Sequence, residues 1–455
     1  MTGFLTSAAA FIVAIAILVA VHEWGHYIVA RMMGVKVLRF SIGFGRVLWS
    51  KHYGDDQTEY CISAIPIGGY VKLLDERDCV VPLNEQHRAF NRQSGPAKVA
   101  VLAAGPGLNF LFAIVAYWCM FVIGVPGAKP VVGDVEAGSI AAEAGMLAGD
   151  QVVGVGERDV GTWEGAILAM LNEMLTDGDI PMAVVGADGS QRAIVLRSAG
   201  RESELTEPGQ LLKGLGFVPW SPNLPPVIDE LTPGGPAERA GMLPGDLVLT
   251  ARGERIESWP QWVDYVRARA NQRVAITVLR NDVEVPLEIE IGEAESDGET
   301  YGRIGASVRV PEGLLESMRA EQRYGPADAL GRAAAKTWEM SALTVRMIGS
   351  MVVGDVSVKN ISGPINIAQY AGVSASIGLA QFLSFLAIVS ISLGILNLLP
   401  IPLLDGGQIF YQLVEGLKGS PLSERAQLIG QQMGIVFLLL LMSFAFYNDL
   451  SRIFG

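Results

Sequence analysis

The sequence is short of charge, of cysteine and of histidine, and each shortage excludes something. Asp, Glu, Lys and Arg make up 18% of its 455 residues, against about a quarter in an average soluble protein. Three cysteines (Cys61, Cys79 and Cys119) with no CxxC pair exclude a disulfide scaffold. There is no basic excess either, with 34 Lys and Arg against 47 Asp and Glu, so a nucleic-acid partner is not expected. Half of the residues are hydrophobic, which excludes a disordered chain.

The missing charge is missing in blocks. No charged residue occurs from Phe4 to Val21, from Val99 to Ala128, from Asn360 to Leu404, or from Ala426 to Asn448. About 18 apolar residues suffice to cross a bilayer core, so the expected fold class is a multi-pass α-helical membrane protein with four transmembrane helices. The first run lacks a positive leader and a small-residue cleavage site, which favours a retained span over a signal peptide. Between the runs the charge is uneven. Residues 31–98 carry ten basic and seven acidic side chains, a net of +3, whereas residues 129–375 carry 21 and 35, a net of −14. Basic loops stay in the cytoplasm and long domains translocate largely regardless of charge. Residues 31–98 are therefore placed inside, and residues 129–375 and both termini outside.

The segment between the second and third runs is duplicated. Ile140-Ala-Ala-Glu-Ala-Gly-Met-Leu-Ala-Gly-Asp150 returns as Pro236-Ala-Glu-Arg-Ala-Gly-Met-Leu-Pro-Gly-Asp246, and Trp163 returns as Trp259 at the same offset of 96. An offset of this size is a domain duplication rather than a solenoid period. With the terminal Gly214-Leu-Gly-Phe217 and Arg303-Ile-Gly-Ala306, the pattern resembles tandem PDZ domains in the permuted bacterial form, over 128–219 and 222–309. PDZ modules capture extended peptides or protein tails on a sheet edge, although the repeats would also serve as spacers. Beyond them, Leu330, Ala334, Trp338, Leu343, Met347 and Met351 recur at helical spacing, which predicts an amphipathic helix over 326–351.

The chemistry is concentrated at the end of the first run. His22-Glu23-Trp24-Gly25-His26 puts two imidazoles four residues apart, on one face of a helix. The glutamate between them stands where a general base for hydrolytic water belongs. Half of the chain's four histidines lie within these five residues, and ionisable groups in a span usually mark function. A zinc peptidase takes three protein ligands. His52 and His87 are open as the third, but Asp405 is the better candidate. It closes Gly394-Ile-Leu-Asn397-Leu-Leu-Pro400-Ile-Pro402-Leu-Leu-Asp405-Gly-Gly407, an apolar stretch that two prolines interrupt. Broken spans are tolerated where the break lines a site. A carboxylate and an asparagine in such surroundings need partners, and a metal and a substrate backbone would supply them. Counting crossings also puts His26 and Asp405 at the same leaflet.

These motifs, with Gly105-Pro-Gly-Leu-Asn109 in the second run and Arg39-Phe-Ser-Ile-Gly-Phe-Gly45, Gly68-Gly-Tyr-Val-Lys72, Leu74-Asp-Glu-Arg77 and Ser362-Gly-Pro-Ile365 beside them, resemble the site-2 protease family of intramembrane zinc metalloproteases over nearly the whole chain. The resemblance implies His22, His26 and Asp405 as zinc ligands and Glu23 as catalytic base. It implies Asn397 as a holder of the substrate backbone. The loop 31–98 is too apolar for a surface loop, and Ile42, Phe44, Val47, Leu48, Trp49, Ile62, Ala64, Ile65, Ile67, Tyr70 and Val71 suggest strands dipping into the protein. For this loop the resemblance implies a membrane-reentrant β element whose Gly43, Phe44, Gly45, Gly68, Gly69 and Tyr70 meet substrate. Gln408 departs from relatives with histidine there, and Asn109 either bonds near the site or caps a bend. The implied substrate is a single-pass membrane protein resembling an anti-sigma factor, already trimmed by another protease, with the PDZ pair excluding bulky ectodomains. The implied setting is a bacterial inner membrane with the repeats in the periplasm and the active site near the cytoplasmic leaflet.

The expected order is span 1 with HExxH (1–30), the reentrant β region (31–96), span 2 (97–125), the repeats (128–219 and 222–309), a helical region (312–372), span 3 with the proline motif (373–408) and span 4 (426–448). Two other readings stay open at this stage: a non-catalytic adaptor using the PDZ grooves, and an ion transporter using the intramembrane His, Asp and Asn.

Overall fold

The computed structural model describes residues 2–454 except 208, 223, 297, 298, 312, 315–317 and 421. The Glu312 end of the expected helical region and the Ile67 side chain thus lie outside the described residues. In chain order the main elements begin with α1 (Thr2–Met32), β1 (Val37–Tyr53), β2 (Thr58–Leu73) and α2 (Gly95–Ile123). The first repeat contributes β3 (Gln151–Val155), α3 (Trp163–Asp177), β4 (Asp179–Val185) and β5 (Gln191–Arg197). The second contributes β6 (Leu247–Ala251), α4 (Trp259–Arg267), β7 (Arg273–Arg280) and β8 (Val283–Glu290). The chain then forms α5 (Pro326–Val353), α6 (Pro364–Ile377), α7 (Leu379–Leu398), α8 (Asp405–Lys418) and α9 (Glu424–Phe454). It divides into two compact units, Met1–Pro126 with Gly200–Pro208 and Glu321–Asp449, and Gly127–Ala199 with Gly209–Ala320 and Leu450–Gly455.

Among the described residues, four helices are long and apolar enough to cross a membrane: Leu5–Met32, Gly95–Ile123, Leu379–Leu398 and Arg425–Arg452. The third apolar run is not one helix. Gly378 (φ 143°) ends α6, and the helix that follows has 20 residues, about 30 Å of rise. The chain then leaves helical geometry over 399–404 and re-enters it at Asp405. Pro400 and Pro402 enforce this break, since neither can donate to a helical carbonyl.

In the first unit α2 is the central helix. Ala113, Ala116, Tyr117 and Met120 of α2 pack with Ala387 and Ile391 of α7 and with Ala329 and Ala333 of α5. On α5 the buried stripe is Ala329, Ala333, Thr337 and Leu343. Of the stripe expected from the sequence, Leu330 and Trp338 instead face outward, Trp338 being 74% exposed. The face turned to α2 and α7 is the one that carries the small Ala329 and Ala333, which let the helices approach closely.

The β1–β2 arm is more than a hairpin. Residues 39–42 pair with 59–62 on one side and with 69–72 on the other, while 47–53 pair with 58–63. Each strand therefore bends and supplies two ladder segments. The bends fall at Gly43, Gly45 and Gly68, with φ of 92°, 84° and 107°, values that glycine adopts without steric cost.

In the second unit the two repeats form matching four-stranded sheets. Their orders are Arg158–Asp159, β3, β4, β5 and Glu254–Arg255, β6, β7, β8. In each, the strand before the repeated motif pairs with the last strand of the copy: Val132–Val135 with Phe217–Pro219, and Ile228–Leu231 with Ala306–Val308. The repeated Gly-Asp has a local cause. Asp150 and Asp246 are buried, and each accepts the amide of the residue three before it, Leu147 or Leu243. Each also binds an arginine of the neighbouring sheet, Arg192 or Arg280, which in turn donates to the carbonyl of Gly145 or Gly241.

Candidate metal centre

One constraint on the site is local. Residues 22–26 lie in the last third of α1, so helical spacing alone brings His22 Nε2 and His26 Nε2 to 3.2 Å. A second constraint is a close approach of two helices. A Cβ on Gly25 would lie 2.3 Å from the Ala104 carbonyl oxygen, and one on Gly105 would lie 2.3 Å from His26 Nε2. Glycine at both places lets α1 and α2 touch through backbone, with the two imidazoles pressed against α2. Pro106 lies inside that helix, and beside this perturbed turn the Val101 carbonyl accepts His26 Nδ1–H at 2.8 Å. The Asn109 amide lies 3.1 Å from His22 Nδ1.

Asp405 comes from the other side. Gly406 and Gly407 are buried at the start of α8, where Cβ atoms would lie 2.2 Å from the Leu398 carbonyl oxygen and 2.1 Å from that of Ile401. The turn folds onto the helix start only because both residues are glycine. Gln408 Nε2 donates to the Pro402 carbonyl at 3.1 Å and fastens the same turn. This delivers Asp405 Oδ2 to 3.3 Å from His22 Nε2 and 3.4 Å from His26 Nε2.

Three donor atoms thus form a triangle with edges of 3.2–3.4 Å. They suit a cation. With its Nδ1 proton given to Val101, neutral His26 presents a lone pair at Nε2, facing another ring nitrogen and a carboxylate oxygen. Asp405 Oδ2 is buried with no aligned hydrogen-bond donor, an arrangement costly without a positive partner. A tetrahedral zinc site with bonds of about 2.0–2.1 Å spaces its ligand atoms by about 3.3 Å. Among the described residues, this is the one cluster of three or more His, Cys, Asp or Glu side chains spaced to hold a metal ion. His52 and His87, the other candidates from the sequence, are exposed and outside it.

Glu23 is half-buried and sits against β2. A Cβ on Gly69 would lie 3.1 Å from Glu23 Cγ, and the Val71 amide donates to the Glu23 carboxylate. Gly69 therefore admits the edge of the β arm to α1. Phe44 and Tyr70 stack with ring centroids 6.1 Å apart. A Cβ on Gly68 would lie 2.2 Å from the Phe44 ring. Arg39 bonds both Glu59 and Tyr70. Gly43 lies under the Ile65 and Ser63 carbonyls and Gly45 against the Ile65 side chain. Asn397 is half-buried in the last turn of α7, with no side-chain hydrogen bond to a described residue. Sequence reasoning missed Ser390, whose buried hydroxyl donates to the Asn109 carbonyl at 2.9 Å. It is one of three serines in the apolar α7, with Ser384 and Ser392, and nothing in the sequence singles it out.

The model of peptidase family M50 matches residues 10–441 of this chain. "Protease RseP" of Yersinia pestis is 41% identical over 461 residues, covering all of both chains. "Regulator of sigma-E protease RseP" of Escherichia coli (strain K12) is 40% identical over 458 residues, again covering all of both. A "Putative zinc metalloprotease" of Vibrio cholerae serotype O1 is 41% identical over 458 residues with the same coverage.

Proposed function

The chain belongs to peptidase family M50 and is a zinc-dependent membrane metalloprotease; from that premise we propose that it cuts single-pass membrane proteins within or beside the bilayer, using Glu23 as base at a metal held by His22, His26 and Asp405. The observation that carries this reading is the triangle of donor atoms with 3.2–3.4 Å edges, built from the end of one span and the turn after another.

Zinc held there supplies a Lewis acid that polarises the scissile carbonyl and acidifies the attacking water. The protein's own groups do the rest. Glu23 takes a proton from that water and passes it to the leaving amine. Val101 and Asn109 hold the two imidazoles from behind. Asn397, with its amide unengaged, binds the substrate backbone. A peptide bond inside a helix is shielded by its own hydrogen bonds, so a transmembrane substrate must unwind before it is cut. The β1–β2 arm compensates by pairing the unwound segment with the strand edge around Gly68, Gly69 and Tyr70, next to Glu23, with Gly43, Phe44 and Gly45 shaping that edge from behind.

The repeats are read as PDZ domains in the periplasm. Support for a peptide-binding role in the second copy is a cavity of about 620 Å³ between α4 and the terminal strand, lined by Leu231, Trp259, Val263, Tyr301, Ile304 and Ala306 among others. The name of the Escherichia coli relative ties that protein to sigma-E regulation, and the substrate class proposed for this chain is an anti-sigma factor, trimmed by a first protease before this enzyme acts.

The test is cleavage of a tagged single-span substrate by the purified protein in detergent, with the product mapped by mass spectrometry. Glu23→Gln should keep stoichiometric zinc and lose turnover by at least ~10³-fold, and a chelator should abolish turnover of the unaltered protein. Retained turnover in Glu23→Gln would remove Glu23 from the mechanism, and full activity without metal would remove the centre.

A further inference from the structure

Asn109 lies in the middle of α2, wholly buried, with its side chain against the outer nitrogen of His22 and its backbone carbonyl tied to α7 by Ser390. The 3.1 Å contact is drawn nitrogen to nitrogen, from Asn109 Nδ2 to His22 Nδ1, and it leaves Asn109 Oδ1 buried without a partner. Rotating the amide by half a turn exchanges its oxygen and nitrogen at almost no change in shape. Either orientation leaves one buried amide atom unpaired, so burial does not choose between them. The imidazole does. Its Nε2 is the atom that faces His26 and Asp405, and a neutral imidazole can offer a lone pair at Nε2 only if its proton is on Nδ1. A protonated Nδ1 needs an acceptor, and the amide NH2 is not one.

We infer that Asn109 is a positioning residue for the metal centre: its side-chain oxygen accepts the Nδ1–H of His22 and locks that ring in the tautomer whose Nε2 is free to ligate. The two histidines are then held alike, His26 by the Val101 backbone carbonyl and His22 by the Asn109 side-chain oxygen, and both supports come from α2. One helix thereby sets the tautomer of both ligands. The serine bond from α7 fixes the backbone at Asn109, from which the amide reaches His22. This rests on the reading of His22 as a zinc ligand, which the experiment tests separately.

The experiment uses the full chain in detergent, with zinc affinity measured by competition against a chelator of known strength and the Co²⁺-substituted absorption band as a second readout of ligand geometry. Asn109→Leu keeps the volume and removes the acceptor; it should weaken zinc binding by about 10–100-fold. Asn109→Asp keeps an oxygen at the same place and cannot donate; it should stay within a few-fold of the unaltered protein and retain the Co²⁺ band. Equal losses in the two variants, or an unchanged affinity in Asn109→Leu, would overturn the inference. A measurement on the unaltered protein guards against misfolded variants: ¹⁵N-histidine resonance of the zinc form should show His22 protonated at Nδ1, and a metal-bound Nδ1 would overturn the inference without any substitution. His22→Phe separates the two levels. If it retains zinc, the ligand reading itself fails, whereas zinc lost in His22→Phe but kept in Asn109→Leu rejects only the role of Asn109.

Discussion

Gly105 lies where α2 passes beneath both imidazoles, and its missing methyl is the space that the ligating atoms use. A Cβ there would stand 2.3 Å from His26 Nε2 and 2.8 Å from His22 Cε1. Alanine in a helix interior is otherwise favourable over glycine by about 1 kcal/mol, so stability and metal binding should part company. Gly105→Ala is expected to keep its helix content in circular dichroism and lose at least ~10²-fold in zinc affinity, measured against buffered free zinc. Gly107, two residues on, has open space around a built Cβ, and Gly107→Ala should bind zinc normally. The sequence could not separate these two glycines. His22 and His26 were legible because helical spacing is local, and Asp405 because two prolines break an apolar run just before it. Which face of α2 meets α1 depends on packing between distant segments, and no local pattern carries that. The same limit applied to Asn109, where the sequence left a capping and a bonding role equally open until the His22 contact appeared.

Elements show the same division between what is local and what is not. The duplicated Gly-Asp was readable as a repeat, but its clamp, an arginine from the sheet, was not, because Arg192 and Arg280 do not share the offset of 96 residues. The bends of the β arm were implicit in its glycines, yet the double pairing of residues 39–42 follows only from the three-dimensional ladder. On α5 the helix was legible and its buried face was not, because which face meets α2 and α7 depends on packing between distant segments. The Asp246 clamp makes a prediction in acid. Burial pushes the Asp246 carboxyl up, but Arg280 and the Leu243 amide outweigh it and hold it below the ordinary carboxylate range. A carboxyl lowered on folding stabilises above its unfolded pKa of about 4 and loses that contribution as pH falls through the folded value. Arg280→Met leaves the carboxylate buried and unpaired, a loss of about 3 kcal/mol at pH 7. The difference should shrink as pH falls below the ordinary carboxylate range and vanish only below the lowered folded value, where the carboxyl is neutral in both proteins. Pulse proteolysis of the full chain, followed through cuts within 222–309, measures it; an equal deficit at both pH values would reject the clamp.

At the scale of the whole molecule the proposed orientation rests on charge and parity together. A net of +3 over residues 31–98 and −14 over residues 129–375 is the asymmetry expected if the first segment stays in the cytoplasm and the second is carried across. Parity then constrains the catalytic centre. His22 and His26 end the first span and Asp405 follows the third. Two crossings separate the motifs, so they share a leaflet whichever way the protein is inserted, and the 3.2–3.4 Å triangle requires that they do. What charge adds is the choice of leaflet. Cysteine labelling in spheroplasts decides it. In a background without Cys61, Cys79 and Cys119, Asp55→Cys reports on the turn between β1 and β2, and Glu157→Cys on an exposed turn of the first repeat. A membrane-impermeant maleimide should label Glu157→Cys in intact spheroplasts and Asp55→Cys only after permeabilisation. The opposite pattern would place the metal centre at the outer leaflet and the repeats inside. No extracytoplasmic trimming step could then meet the repeats before the substrate reached Glu23.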